Sequence, residues 1–179
     1  MTADEPNTEA LGTPREDAIT KSTLIGEARR IAESPCIVRE NDDLRALAEA
    51  LSVHRRVQIA AVVSDAGTLV GIVPLQLLVD DLFLQVAPEE FLSDIMDRDR
   101  MGEYAHMVNA NTAGELMKEP VYVTAEDTIG DAFARMHDHH LAGLPVVDDE
   151  MRPTGYLDRL ELVRVWLQEH HSGDGDPTP

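Results

Sequence analysis

Between Thr112 and His170 the apolar and polar positions fall into blocks that predict a strand, a helix, two strands and a last helix. Val121-Tyr122-Val123 is a short apolar run that reads as the first strand. Ile129, Ala132, Phe133 and Met136 then recur at i, i+3, i+4 and i+7, one face of a helix whose start carries the capping-box pair Thr128 and Asp131. Leu144-Pro145-Val146-Val147 predicts a strand closed by Asp148-Asp149-Glu150. Pro153-Thr154-Gly155-Tyr156-Leu157 predicts another that leads into a helix over about 159–168.

The same pattern occurs earlier in the chain. Cys36-Ile37-Val38 reads as a strand, and Leu44, Leu47, Ala48 and Leu51 repeat the helical spacing 85 positions before Ile129, Ala132, Phe133 and Met136. Ala61-Val62-Val63 and Gly71-Ile72-Val73 precede Pro145-Val146-Val147 and Gly155-Tyr156-Leu157 by 84, so one residue is lost in the helix-to-strand loop. Asp42 or Asp43 is placed to cap the earlier helix. Asp65-Ala66-Gly67 reads as a hairpin turn whose counterpart, Asp149-Glu150-Met151, lacks the glycine. Two copies of one β-α-β-β-α unit follow from this repeat, and Val62 and Val146 are expected on equivalent central strands.

The flanks divide the rest. Residues 1–20 are polar and acidic with no apolar period, which predicts a disordered tail, and 171–179 predict another. Leu24, Ala28, Ile31 and Ala32 form a weak helical stripe, so 21–85 is read as an N-terminal helix plus the first copy. Residues 86–111 read as a helical insertion opening at Pro88-Glu89-Glu90, with apolar residues such as Phe91, Ile95 and Tyr104. Thr112 and Glu115 form a second capping-box pair and open the second copy, 112–170.

Composition narrows the function classes. Of 179 residues 43% are hydrophobic but only 4% aromatic, so aliphatic side chains must fill the core. A net charge of -19 argues against nucleic acid, which needs clustered Lys and Arg, and opposes polyphosphate ligands. The single cysteine, Cys36, excludes an intrachain disulfide and suits a reducing cytoplasm. The N-terminus lacks a signal-peptide pattern, and the most apolar stretch, 69–79, is too short to span a bilayer, so no membrane insertion is expected. No phosphate loop, His-Glu-x-x-His, Gly-x-Ser-x-Gly or Cys-x-x-Cys motif is present, and the chain is read as a non-enzyme. His137, His139 and His140 lie at a helix end, where the dipole favours histidine, so they are read as structural rather than as metal ligands.

Paired units in this order, with Leu144-Pro145-Val146-Val147-Asp148 and a glycine-aliphatic strand entering a helix, resemble the cystathionine-β-synthase-type (CBS) domain pair. The resemblance covers roughly residues 30–85 and 112–170. It implies an α+β fold of two βαββα units related by a pseudo-two-fold axis, a regulatory role, and clefts between copies that often bind adenine nucleotides or S-adenosylmethionine. The family's ligand motif, a glycine followed at fixed spacing by a Thr or Ser and then an Asp, corresponds here to Gly155, Asp158 and Glu161. In the first copy Pro74 and Leu77 replace both polar positions, so that half-site reads as lost. The resemblance therefore implies a site in the second copy, with Val121, Val123, Leu144 and Pro145 as the apolar wall for an adenine, Glu161 on the ribose, and Asp158 and Arg159 nearby. Asp158 disfavours phosphate, giving the order S-adenosylmethionine or adenosine, then AMP, then ATP. Asp158 and Glu161 also read simply as an N-cap and an acidic first turn. The final helix carries apolar residues on two sides, Leu160, Val163 and Leu167 with Leu162, Val165 and Trp166, which predicts a homodimer. The competing reading is a ligand-independent scaffold for an unidentified enzyme or transporter.

Overall fold

The computed structural model describes residues 20–27, 33–86 and 110–171. The first copy comprises β1 (Cys36–Arg39), α1 (Leu44–Val53), β2 (Ile59–Val63), β3 (Leu69–Pro74) and α2 (Leu75–Val86). A one-turn helix, α3 (Ala113–Leu116), precedes the second copy: β4 (Val123–Thr124), α4 (Ile129–Asp138), β5 (Gly143–Val147), β6 (Pro153–Asp158) and α5 (Arg159–His171). Each copy has a three-stranded mixed sheet, β1-β2-β3 or β4-β5-β6, with the middle strand parallel to the first and antiparallel to the third. Val62 pairs with Gly71 and Val146 with Gly155, so the two valines occupy the same place on central strands, and both sheets shift register at the next residue.

Local sequence explains the elements. Asp43 caps α1 by accepting from the Ala46 N–H at 2.7 Å. Thr128 and Asp131 close both halves of a capping box on α4. Leu44, Leu47 and Leu51 on α1, and Ile129, Ala132 and Met136 on α4, are buried, whereas Phe133, expected on that face, is exposed and stacks on His137. Every residue of β2 and β5 is buried, which matches strands covered on both faces. The hairpin turns also correspond: Gly67 has φ +81°, and Met151 takes the left-handed conformation at φ 62° without a glycine. Cys36 is buried in the core, and burial pushes its thiol up to about 11.

The copies are joined by exchanging the segments that precede them. Ile25 and Gly26 donate to the carbonyls of Asp127 and Ala125 of the second copy, while Ala113 and Gly114 donate to those of Asp42 and Glu40 of the first. Further along, Glu33 pairs reciprocally with Tyr156 on β6, and Lys118 with Ile72 on β3. The pseudo-two-fold relation thus holds hydrogen bond by hydrogen bond, and it reaches back to residue 23, earlier than the apolar repeat indicates.

This exchange corrects two expectations. Residues 21–27 form turns rather than the start of a helix, because the Ile25 and Gly26 N–H groups are taken by the second copy; residues 28–32 lie outside the described residues. The strand expected at Val121–Val123 is shorter and shifted to Val123–Thr124, since the Tyr122 carbonyl accepts from Arg135 at 2.7 Å and residues just before it belong to the exchanged segment. The expected tail over 1–20 lies outside the described residues except for Thr20. The helical insertion, apart from Val86, Ala110 and Asn111, and all but the first residue of the tail over 171–179 lie outside them too.

Candidate functional site

The second-copy motif lies at a seam between the copies. At the junction of β6 and α5, Asp158 Oδ1 accepts from the Glu161 N–H at 2.9 Å and so caps α5. The Glu161 carboxylate is buried and meets two guanidiniums: that of Arg164 on the same helix and that of Arg56, 3.7 Å away, from the loop between α1 and β2. Arg56 also bonds Glu33 of the exchanged segment at 2.6 Å. Burial raises the Glu161 pKa, and the neighbouring Asp158 and Glu33 add to the effect, against the arginines. Three carboxylates face two guanidiniums here, which leaves no positive charge over for a phosphate.

Next to this cluster the Tyr156 ring crosses the seam. Its hydroxyl accepts from the Gln58 N–H at 3.2 Å, and burial pushes it up to about 12. Arg159 turns away from Asp158: its N–H bonds the Ala142 carbonyl, and its guanidinium bonds the Met136 carbonyl at the end of α4.

Val121 lies elsewhere. It lines an open cleft of about 760 Å³ with Ile72, Lys118, Tyr122, Arg135 and Leu141, beside the first copy's β3. Asp158, Arg159 and Glu161 are not among the residues lining it. Val123, Leu144 and Pro145 are buried in the second sheet, with Leu144 opposite Leu157 and Pro145 opposite Tyr156. The structure therefore brings Asp158 and Glu161 together, sets Val123, Leu144 and Pro145 in the strands behind, and separates Val121 from them.

The open cleft is shaped by Asp127, which accepts from the Thr124 N–H at 2.7 Å and from Arg135 at 2.7 and 3.1 Å. Burial raises the Asp127 pKa, but the Thr124 and Arg135 bonds outweigh it and hold the carboxyl below its ordinary 3.8. A depressed carboxylate stabilises the fold above the unfolded pKa, and that contribution is lost as pH falls through the folded value. Asp127→Asn is expected to cost about 1–2 kcal/mol at pH 7. The difference from wild type should shrink below about pH 4, as read by urea unfolding across pH.

Sequence reasoning missed Glu33, Arg56, Gln58 and Arg164, the partners that occupy the second-copy seam. Arg56 and Arg164 carry no motif. The Gly26-Glu27 and Gly114-Glu115 pairs, followed by Ser34-Pro35 and Glu119-Pro120, are a faint repeat that would have exposed the exchanged segments and with them Glu33. Among the described residues no group of three or more His, Cys, Asp or Glu is arranged to hold a metal ion, and no helix is long and apolar enough to cross a membrane.

Two interlocked βαββα units with polar groups gathered at the seams define a tandem-repeat α+β module. The family model described as "CBS domain" matches residues 19–82 and 113–167, and the chain belongs to the CBS domain family as a CBS pair. No curated protein matches it. Among solved structures, a CBS domain-containing protein from Thermotoga maritima is 20% identical over 88% of this chain and 99% of its own, with a TM-score of 0.65. The CBS domain pair of protein MJ0100, in complex with 5′-methylthioadenosine and S-adenosyl-L-methionine, is 19% identical over 82% of this chain and 98% of its own, at 0.58. CBSX2 in complex with AMP is 23% identical over the same shares, also at 0.58. At these identities the likeness shows the fold.

Proposed function

We propose that this chain is a non-catalytic, cytoplasmic regulatory module that senses an adenosine-containing ligand through its second copy, at the seam where Asp158 and Glu161 meet Glu33 and Arg56. The observation that carries the reading is a buried carboxylate, Glu161, in the first turn of α5, neutralised by half-exposed side chains rather than by the backbone. A ribose diol is a chemically sound replacement for such partners, since each hydroxyl donates to a carboxylate. Complexes of MJ0100 with S-adenosylmethionine and of CBSX2 with AMP support the ligand class. The burial of Val123, Leu144 and Pro145 supports a role in shaping the site rather than touching the ligand.

Thermal unfolding with each ligand tests this. A ligand at a hundred times its Kd adds about 2.7 kcal/mol of stability. S-adenosylmethionine or adenosine is expected to stabilise more than AMP, and AMP more than ATP, because each phosphate adds charge beside Asp158 and Glu33. Glu161→Ala should abolish the shift. ATP as the strongest stabiliser would contradict the order, and no shift with any of the four would contradict sensing.

A second reading is favoured by an exposed apolar surface. Leu75, Val79, Leu82 and Phe83 on α2, and Leu160, Val163 and Leu167 on α5, are all exposed, and Val79 and Val163 are equivalent positions. Their spacing of three and four places them on one face of each helix. We propose that these faces form a homodimer, through which the module also acts as an interaction scaffold for an enzyme or transporter. Light scattering at micromolar concentration is expected to give twice the chain mass, and Val79→Glu with Val163→Glu to give the monomer. A wild-type monomer would contradict dimerisation. A partner that co-purifies and is retained by Glu161→Ala would favour the scaffold reading.

A further inference from the structure

We infer that Arg56 is a specificity-determining residue of the second-copy seam: its guanidinium stands beside Glu161 together with that of Arg164, and the site favours a ligand that can replace Arg56 with hydroxyl donors or positive charge. This rests on the ligand reading above.

Arg56 ties three segments together. It leaves the first copy between α1 and β2, bonds Glu33 of the exchanged segment at 2.6 Å, and stands 3.7 Å from Glu161 on α5. Two residues on, the Gln58 N–H docks on the Tyr156 hydroxyl, so the loop is anchored while the Arg56 side chain stays 46% exposed. Such a guanidinium leaves its partners at little cost, because water receives it. Glu161, by contrast, is buried between Arg164 and Arg56, and a buried carboxylate that loses one of its two counter-charges is disfavoured. A ligand that displaces Arg56 and offers Glu161 donors or positive charge is therefore favoured over one that offers neither.

The pseudo-symmetric seam supports this by contrast. There Lys118 stands for Glu33, His140 for Arg56, Leu77 for Glu161, Asp80 for Arg164 and Pro74 for Asp158. No salt bridge joins these residues, and Asp80 accepts from Gln76 instead. A ribose diol or a sulfonium meets the requirement that Glu161 sets. A phosphate supplies neither donor nor positive charge and approaches Glu33 and Asp158 as well.

Titration calorimetry on the full chain tests the inference with adenosine, which is uncharged, so salt acts only through the protein's own ion pairs. At low salt Arg56→Gln should bind adenosine about fivefold tighter than wild type, with Arg56→Lys between them. Wild-type affinity should rise as salt screens the Arg56 pairs, while that of Arg56→Gln stays flat. 2′,3′-Dideoxyadenosine, which lacks the diol donors, should bind wild type far more weakly than adenosine. If Arg56→Gln fails to fold, the wild-type salt dependence and Arg56→Lys decide the same question. Equal or weaker adenosine binding by the Arg56 variants, or no rise with salt, would overturn the role of Arg56 and leave the second-copy reading standing, whereas equal binding of the dideoxy compound would overturn both. No adenosine binding by wild type or variants would overturn both.

Discussion

Gly143→Ile should unfold the protein at a temperature on the order of 10 °C lower, a loss of about 4 kcal/mol, and Tyr156→Ile should restore part of that stability in the double variant. A Cβ on Gly143 would stand 2.2 Å from the Tyr156 hydroxyl oxygen, 2.4 Å from Cζ and 2.6 Å from the Leu157 carbonyl oxygen. The tyrosine cannot swing aside, because it is fully buried and its hydroxyl holds the Gln58 N–H across the seam. At the equivalent positions the first copy carries Ile59 and Ile72, both buried. The second copy has shrunk one residue and enlarged its diagonal neighbour. Gly143→Ile with Tyr156→Ile recreates the first copy's pair, so its recovery measures the seam as a volume exchange. The Gln58 N–H loses its partner in the double variant, which limits the recovery. Denaturant unfolding of the three variants reads the coupling, and strictly additive losses would show that the two positions do not share space.

Leu144→Ala is expected to cost about 3 kcal/mol in urea unfolding. Leu144 has 0% exposure, sits on the central strand of the second sheet and pairs with Leu157, also at 0%. Both faces of β5 are covered, so the methyl groups removed leave a cavity with no path to water, and neighbours held by β4 and β6 can close it only in part. The variant separates two roles that the sequence allows this leucine. If it is core, stability falls and the ligand shift on the remaining folded protein is retained. If it is an adenine wall, the ligand shift falls with little change in stability.

Periodicity makes the elements legible because they are local. The i, i+3, i+4 stripes of α1 and α4 and the short apolar runs of β2 and β5 follow from one-sided or two-sided burial, and the cap at Thr128 needs only the three residues after it. The resemblance to the CBS pair rests on these and on the Leu144–Asp148 run. What is not legible is non-local. The weak stripe of Leu24, Ala28, Ile31 and Ala32 begins in residues 21–27, yet the Ile25 and Gly26 N–H groups there bond Asp127 and Ala125 about a hundred positions later. The same exchange separates Val121 from Asp158 and Glu161: neighbours in one copy's sequence fall at different seams once the preceding segments cross over. Arg56 and Arg164 escape a sequence reading because ion pairing leaves no spacing signature, and Asp158 is legible as an N-cap because capping does.

The most direct test of the central claim, that the second-copy seam is where a ligand acts, is amide hydrogen exchange with and without saturating adenosine. Slower exchange is expected at the start of α5 around Glu161, in the loop 54–58 and at Glu33, the three segments joined by Arg56 and Glu161. Protection confined to 118–122 and 139–141, around the open cleft, or no protection anywhere, would contradict it.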